Sequence, residues 1–247
     1  MQPRVGVRTT AVPPPLCSRS TLEQARQLRE QLHRCHCGPW SEALQLAGAL
    51  QSEVGLPLDQ LHRHMGPFRL FQQGRDQHTP FHQRLYAAHR QVSDLFEALA
   101  ARLVREVIGE PCYVQQIPTY RYGLPGNRWV GSFHHDCDFG HPPFELNAVL
   151  ALTPMHASAA LQVETAPGSY RYAPLELETG ELALFNHMER RHGCRRNREG
   201  VSVCSLDVRF VPLRFAAAAF DTPQHSLNTG VTMTPGGYFS AQPLPGR

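Results

Sequence analysis

Residues 201–211 read VSVCSLDVRFV and form the clearest predicted β-strand of the chain. From Cys204 to Phe210 every even position is apolar, whereas Ser205, Asp207 and Arg209 stand between them. This period of two is that of an extended strand, in which successive side chains point to opposite faces of a sheet. A single strand is not stable alone, so neighbouring segments must supply the rest of the sheet.

The segments before this strand have the same character. Short apolar stretches are separated by turns that contain Pro, Gly, Asn or Asp, such as LPGN at 124–127 and APGS at 166–169. Many short strands at nearly even spacing predict a β-sandwich or a jelly-roll. The stretches are YVQQIPTYRY (113–122), WVGSFHH (129–135), ELNAVLALT (145–153), ALQVET (160–165), YAPLEL (172–177) and ELALFN (181–186).

The chain changes character near residue 110. Before that point apolar residues recur at steps of three and four, which predicts amphipathic helices, the best of them from about 83 to 108. HRCHC at 33–37 is interpreted as the end of a helix. We therefore predict a helical N-terminal region over 1–110 that packs on a β core at 111–215, followed by a Pro/Gly-rich segment at 216–247. The apolar stripe of the long helix consists of Leu85, Ala88, Val92, Leu95, Phe96, Leu99, Leu103 and Val107.

The composition limits the classes of function. The 247 residues are 41% hydrophobic and 18% charged with a formal net charge of +3, which argues against disorder and against a nucleic-acid-binding surface. No apolar run approaches the ~20 residues needed to cross a bilayer, and the N-terminal sequence lacks the apolar region of a secretory signal. Seven cysteines without a CxxC pair fit reduced thiols, so a cytoplasmic location is predicted.

A cluster of possible metal ligands lies in GSFHHDCDFGHPP, residues 131–143. His134 and Asp136 are two apart, so in an extended chain they share a face, whereas His135 points away. Two imidazoles and one carboxylate form the facial triad of non-haem Fe(II) oxygenases, which leaves three positions of the metal free. The HxD spacing alone is common, so a second histidine is needed.

The second imidazole is predicted to be His192. It lies between two predicted strands and is followed directly by a glycine. His156 and His187 are the alternatives, and the sequence does not exclude them.

The order of these motifs resembles that of a known family. PTYRYGLPGN, VGSFHHDCDFGHPPFELN, LQVETAPGSYRYAPLELETGELALFN and HGCRRNREGVSVCSLDVRFVP are similar to segments of the Fe(II)/2-oxoglutarate-dependent oxygenases of the streptomycin-biosynthesis type, in the phytanoyl-CoA hydroxylase-like superfamily. The resemblance covers roughly residues 115–212. It implies a mainly β fold with a helical N-terminal part, in which a double-stranded β-helix (a jelly-roll, cupin-like core) is flanked by α-helices.

The same resemblance implies the chemistry. Fe(II) would be held by His134, Asp136 and His192, with 2-oxoglutarate as co-substrate, dioxygen as oxidant and no catalytic residue beyond the metal ligands. Hydroxylation of a small polar metabolite, one bearing an amine or a guanidine group, is the implied reaction. Halogenation is disfavoured because the carboxylate ligand is present. The sequence predicts no membrane or nucleic-acid partner and gives no indication of an oligomeric state.

One position departs from the family pattern. Relatives place an arginine eleven residues after the second histidine to bind the distal carboxylate of 2-oxoglutarate, and here that position is Val203. Arg209 lies on the same face of the same predicted strand, so it is the predicted cofactor-binding arginine. An ion pair with Asp207 or another acid is the alternative role for Arg209.

Five further residues are predicted to shape the pocket. Asn147 is expected to bind the co-substrate. Glu145 lies two residues away, so it is expected to face the same interior and to contact the substrate. For both residues the alternative role is to fix a turn. Glu164 suits a cationic substrate, unless it is a strand-end acid in solvent. Tyr120 and Tyr122 are expected to line the substrate pocket, although tyrosines in strands also serve in packing.

Two other functions remain open. Because Val203 replaces an arginine, the chain is alternatively a catalytically silent jelly-roll that binds a metal or a small molecule. A cupin that uses zinc or manganese on the same ligands for hydrolysis or isomerisation is a further alternative.

Overall fold

The computed structural model describes residues 19–64, 79–128, 132–222, 224–226 and 230–247. Residues 129–131 of the strand predicted at 129–135 lie outside these ranges, as does the N-terminal sequence in which no secretory signal was predicted. None of the helices within these ranges combines the length and the apolar character that crossing a bilayer requires.

Within the described part of the chain the α-helices are α1 (Arg19–Gln31), α2 (Ser41–Val54), α3 (Pro80–Leu103) and α4 (Leu213–Phe220). The helix predicted at 83–108 is α3, which starts three residues earlier because Thr79 caps it and accepts a hydrogen bond from the backbone N–H of His82. A π-helical turn over Val104–Ile108 completes it. The predicted apolar stripe of α3 is buried along most of its length.

The described residues form nine strands in two antiparallel sheets. The larger sheet has the order β1-β7-β4-β9-β2, with β3 also paired to β9, and the smaller has the order β6-β5-β8. The predicted fold class, a mainly β jelly-roll core flanked by α-helices, is confirmed. The strands are β1 (Cys35–Cys37), β2 (Cys112–Val114), β3 (Thr119–Gly123), β4 (Leu146–Ala151), β5 (Leu161–Glu164), β6 (Tyr172–Leu175), β7 (Leu182–Phe185), β8 (His192–Cys194) and β9 (Val203–Pro212).

Both faces of the larger sheet are buried. In β9 the even-numbered residues, such as Leu206 and Phe210, pack in one cluster with α2 and α3. Val203, on the opposite face, packs in a second cluster with Val149 of β4 and Val163 of β5, between the two sheets. The inter-sheet space is therefore reached by the odd-numbered residues of β9.

The N-terminal region contributes to the sheet, which the sequence did not predict. Residues 35–37, interpreted as part of a helix end, form β1 and pair with residues 182–184 of β7. The error arose because the pairing satisfies the backbone of a strand distant in sequence, and a local pattern carries no signal of that. The division at residues 110 and 215 stays a prediction, since β1 joins the first region to the second.

The segment after β9 is more ordered than its Pro/Gly content suggests. α4 was missed by the sequence analysis, although its sequence LRFAAAAF contains a run of the best helix former. Phe215 of α4 packs in a third cluster with Met233 and Phe239. Part of the predicted covering segment therefore builds a core of its own.

We expect Phe210→Ala to lower the free energy of unfolding by about 3–5 kcal/mol, because Phe210 is 0% exposed between β9 and the helices. Urea denaturation measures this. Leu213→Ala is the matched control, because Leu213 is 44% exposed and its loss should change stability by about 0.5 kcal/mol or less. Equal effects of the two changes would contradict the packing described for β9.

Candidate metal centre

The two predicted halves of the facial triad meet between the sheets. His134 and His192 form an antiparallel bridge, with backbone N–H to O distances of 3.0 and 2.9 Å. Asp136 follows at the start of a short 3-10 helix, Asp136–Phe139. Its Oδ1 lies 3.5 Å from Nε2 of His134 and 3.0 Å from Nε2 of His192. One ligand atom of each residue lies within 4.8 Å of the others.

The backbone sets the orientation of both imidazoles. Nδ1 of His134 lies 2.8 Å from the carbonyl oxygen of Ser132, and Nδ1 of His192 lies 3.2 Å from that of Arg190. A carbonyl oxygen only accepts, so Nδ1 carries the proton in each ring. Burial lowers the pKa of His192 despite the attraction of Asp136, which favours the neutral ring. Nε2 of His192 therefore points a lone pair at Asp136.

A divalent metal fits this arrangement. A lone pair on Nε2 and a carboxylate oxygen repel each other at 3.0 Å unless a cation lies beside both. The hydrogen bond of each Nδ1 to a carbonyl is the usual support for a histidine that binds metal through Nε2. Two imidazoles and one carboxylate are ligands that suit iron in the +2 state.

The other oxygen of Asp136 is bound to Arg209. Nη2 of Arg209 lies 2.7 Å from Oδ2 of Asp136, and both side chains are buried. Burial alone would raise the pKa of Asp136, but the positive charge of Arg209 reverses this and holds it well below its usual value. The carboxylate is thus ionised, with one oxygen neutralised by Arg209 and the other turned to the histidines.

Arg209 has further polar neighbours on the inner face of β9. Its Nε lies 3.4 Å from Oε2 of Glu145, and its Nη1 lies 3.4 Å from the hydroxyl of Tyr238. Asn147 stands opposite Arg209 in the pairing of β4 with β9. Arg209, Glu145 and Asn147 are therefore brought together, and the acids that Arg209 meets are Asp136 and Glu145. The alternative partner, Asp207, pairs with Arg121 at 2.9 Å.

The two alternative histidines do not join the triad. His156 is exposed and lies 3.2 Å from Glu178. His187 is close, because its carbonyl oxygen accepts a hydrogen bond from the backbone N–H of Asp136 at 3.0 Å, but its side chain is outside the cluster of ligand atoms.

Several buried polar atoms in this part of the fold have no hydrogen-bond partner among the described residues. Each such atom costs about 1–3 kcal/mol unless a ligand or water binds it, so the interior suits a polar guest. The atoms are Oε1 of Glu145, Oδ1 of Asn147, both ring nitrogens of His187, Oγ of Ser205 and Nε of Arg209.

Glu164 is not the solvent-facing acid that one interpretation expected. It is fully buried, and its two oxygens accept hydrogen bonds from the backbone N–H groups of Tyr170 at 2.6 Å and Arg191 at 3.2 Å. These contacts fix the turn between β5 and β6. A carboxylate that is satisfied in this way has little capacity left for a cationic substrate, so the prediction of substrate binding by Glu164 loses its support.

The prediction that Tyr120 and Tyr122 line the pocket is wrong. Both lie in the cluster that faces the helices, where Tyr120 contacts Nδ1 of His89 at 2.9 Å and Tyr122 donates to the carbonyl oxygen of Leu58 at 3.3 Å. In β3 the odd-numbered residues face the inter-sheet space, so Arg121 points inward instead. The pattern identified the strand but not which of its faces is the inner one.

Two inward residues were missed. Tyr238 comes from the Pro/Gly-rich segment, where no periodic signal marks it, and proximity to Arg209 could not be inferred. The sequence did carry a signal for Arg121, because in an extended strand it points to the face opposite that of Tyr120 and Tyr122.

We expect Gly193→Ala to weaken metal binding roughly tenfold. A Cβ on Gly193 would lie 3.1 Å from Cα and 3.2 Å from N of Phe133, so it would press on the backbone that carries His134. Titration of the metal-free protein with Co(II) measures the affinity. Gly48→Ala is the control, because a Cβ there meets nothing within 4 Å. Equal affinity in the two variants would contradict a role for the close contact.

Comparison with known proteins bears on the resemblance. No family model matches the chain. The streptomycin biosynthesis protein StrG of Streptomyces griseus is 34% identical over 137 residues, which cover 56% of this chain and 65% of that protein. Among solved structures, the non-heme alpha-ketoglutarate-dependent epimerase SnoN from nogalamycin biosynthesis has a TM-score of 0.48 and 16% identity, covering 79% of this chain and 84% of its own. The carbocyclase SnoK from the same biosynthesis has a TM-score of 0.43 and 14% identity over 77% and 84%. The match to StrG spans just under two thirds of that protein and confirms the resemblance predicted from the motifs, in that the chain is similar to a streptomycin-biosynthesis protein.

Proposed function

We propose that the protein is an Fe(II)- and 2-oxoglutarate-dependent dioxygenase that hydroxylates a small polar metabolite. The observation that carries this proposal is the buried set of His134, Asp136 and His192, whose Nε2 and Oδ1 atoms turn to one point. Three protein ligands on one face of a metal leave room for a bidentate co-substrate and dioxygen.

With iron bound, such a site converts a substrate C–H bond, dioxygen and 2-oxoglutarate into C–OH, succinate and carbon dioxide. The protein itself holds the ligand set, through the carbonyl oxygens behind both imidazoles, and keeps Asp136 ionised through Arg209. Asp136 would be a ligand of the bound iron and would leave no vacancy for a halide in its place, which favours hydroxylation over halogenation.

For the co-substrate, we propose binding by Arg209 and Asn147. Arg209 is buried beside Asp136, and its Nε has no hydrogen-bond partner among the described residues. Oδ1 of the facing Asn147 is likewise unpartnered. A buried guanidinium beside the candidate metal ligands suits a carboxylate guest. Glu145, buried beside Arg209, stays a candidate for the substrate side of the same interior.

The substrate class rests on the relative. The name of StrG connects that protein to streptomycin biosynthesis, which favours a small polar metabolite carrying amine or guanidine groups. A cytoplasmic location is likewise a proposal that follows from the cysteine content.

A second candidate function is a catalytically silent protein that binds a metal or a small molecule. It is favoured by Val203, which is fully buried in the apolar inter-sheet cluster where relatives place an arginine. A zinc- or manganese-dependent cupin on the same ligands is distinguished by the same experiment.

Anaerobic addition of Fe(II) and 2-oxoglutarate should produce a weak charge-transfer absorption in the visible range. We expect it in the wild type and to be lost in Asp136→Ala and His192→Ala, because each removes a ligand. His156→Ala is the control, since that histidine is exposed and outside the triad. Metal binding without the band would favour the silent or cupin alternatives, and an unchanged band in both ligand variants would refute the triad.

Arg209→Gln should weaken 2-oxoglutarate binding at least about 30-fold, because a buried charge partner is worth roughly 2 kcal/mol or more. Equilibrium titration measures this, with Co(II) affinity recorded separately because Arg209 also contacts Asp136. Arg195→Gln, at an exposed position, is the control. An unchanged 2-oxoglutarate affinity would remove Arg209 from the co-substrate site and direct attention to Arg121.

A further inference from the structure

The segment between β7 and β8, residues 186–191 (NHMERR), holds two of the three candidate ligands through its backbone. The carbonyl oxygen of His187 accepts a hydrogen bond from the N–H of Asp136 at 3.0 Å. The carbonyl oxygen of Arg190 lies 3.2 Å from Nδ1 of His192. We name residues 186–191 the ligand-holding segment. Its position determines where a carboxylate and an imidazole of the triad lie.

Arg29 of helix α1 binds the ligand-holding segment. The guanidinium binds the carboxylate of Glu189 in a fork, with Nε 3.0 Å from Oε2 and Nη2 in contact with Oε1. Its remaining arm, Nη1, donates to the carbonyl oxygen of Pro143 at 2.6 Å. Pro143 ends the loop that carries Asp136, so one arginine, itself 3% exposed, connects both ligand-bearing loops.

Glu30, the next residue of α1, forms an ion pair of the opposite polarity with the same segment. The carboxylate of Glu30 pairs with Arg190 and accepts a hydrogen bond from Nδ2 of Asn186 at 2.9 Å. Nη1 of Arg190 also donates to the carbonyl oxygens of Glu164 at 3.2 Å and Thr165 at 2.5 Å. The hydrogen bond from Arg190 outweighs the effect of burial and lowers the pKa of Glu30, so the pair is charged.

The adjacent residues Arg29 and Glu30 thus face Glu189 and Arg190 with opposite polarity. Shifting α1 by one residue would set like charges against each other, so the pairs specify one position of the helix on the segment. Ion pairs with buried members add little net stability but discriminate between arrangements. Of the residues in α1, Ala25 and Arg29 are buried, and the apolar contacts of the helix are made by Ala25 and the half-buried Leu28.

We propose that α1 is a positioning element for the metal centre: Arg29 and Glu30, through Glu189 and Arg190, set the ligand-holding segment so that Asp136 and His192 converge. Arg29 and Glu30 are positioning residues, since they do not touch the metal ligands' side chains. The inference rests on the proposed metal site, though not on the identity of the substrate or on turnover. It gives the N-terminal region a function beyond packing.

The test uses the full chain, freed of metal and titrated with Co(II), whose visible absorption reports both affinity and coordination geometry. Arg29→Met should weaken Co(II) binding 10–100-fold and alter the absorption bands. Arg29→Lys, which keeps the charge but not the fork, should recover part of the affinity. Arg26→Met is the matched control on the same helix, because Arg26 is 58% exposed and pairs with Glu23, which is also exposed. This variant should bind Co(II) like the wild type.

If Arg29→Met does not fold, Glu189→Gln tests the same contact. This change retains the shape of the Arg29–Glu189 pair and removes one charge. A variant with a lower melting temperature but wild-type Co(II) affinity and absorption would show a merely structural contact and overturn the inference. Absence of Co(II) binding in the wild type would overturn it together with the metal site. Normal Co(II) binding without the Fe(II)/2-oxoglutarate band would instead refute only the oxygenase function.

Discussion

A buried carboxylate is costly unless opposite charge lies beside it, and Arg209 meets this requirement for one oxygen of Asp136. Arg209, on β9 of the larger sheet, binds one oxygen, and the histidines at the edge of the smaller sheet face the other. Arg209 is shared between Asp136 and Glu145, and Glu145 also lies 2.9 Å from Nδ1 of His141, while burial favours the neutral ring of His192. A divalent cation between the imidazoles and Asp136 would bind the second oxygen of this carboxylate, which connects the larger sheet to the smaller one.

The alternation of side chains along the predicted strands was sufficient to predict much of the candidate metal site. The HxD spacing selected His134 and Asp136, and the flanking strands and the following glycine favoured His192, because these signals are local to a strand or its end. Their convergence could be anticipated only from the order of motifs, since the bridge between residues 134 and 192 spans 58 positions and no local pattern encodes it. The same limit explains why β1 was taken for a helix end.

Alternation fails where both faces of a sheet are buried. Tyr120 and Arg121 are equally compatible with an inner or an outer position, because the helices cover one face and the smaller sheet covers the other. The normal rule that polar residues face water gives no guidance in such a strand. Glu164 illustrates a related limit: its partners are backbone N–H groups, and these become available only when the chain between β5 and β6 turns back.

The pairing of β1 with β7 determines what can be removed from the protein. A chain that began at residue 111 would lose β1 and leave the backbone groups of Leu182–Phe185 exposed along an open edge. It would also uncover the apolar face of the larger sheet that α2 and α3 bury. An open apolar edge recruits strands from other molecules, so the motif-bearing part of the sequence would aggregate rather than fold alone. Helices and β core therefore share one apolar cluster, although the recognised motifs lie within residues 115–212.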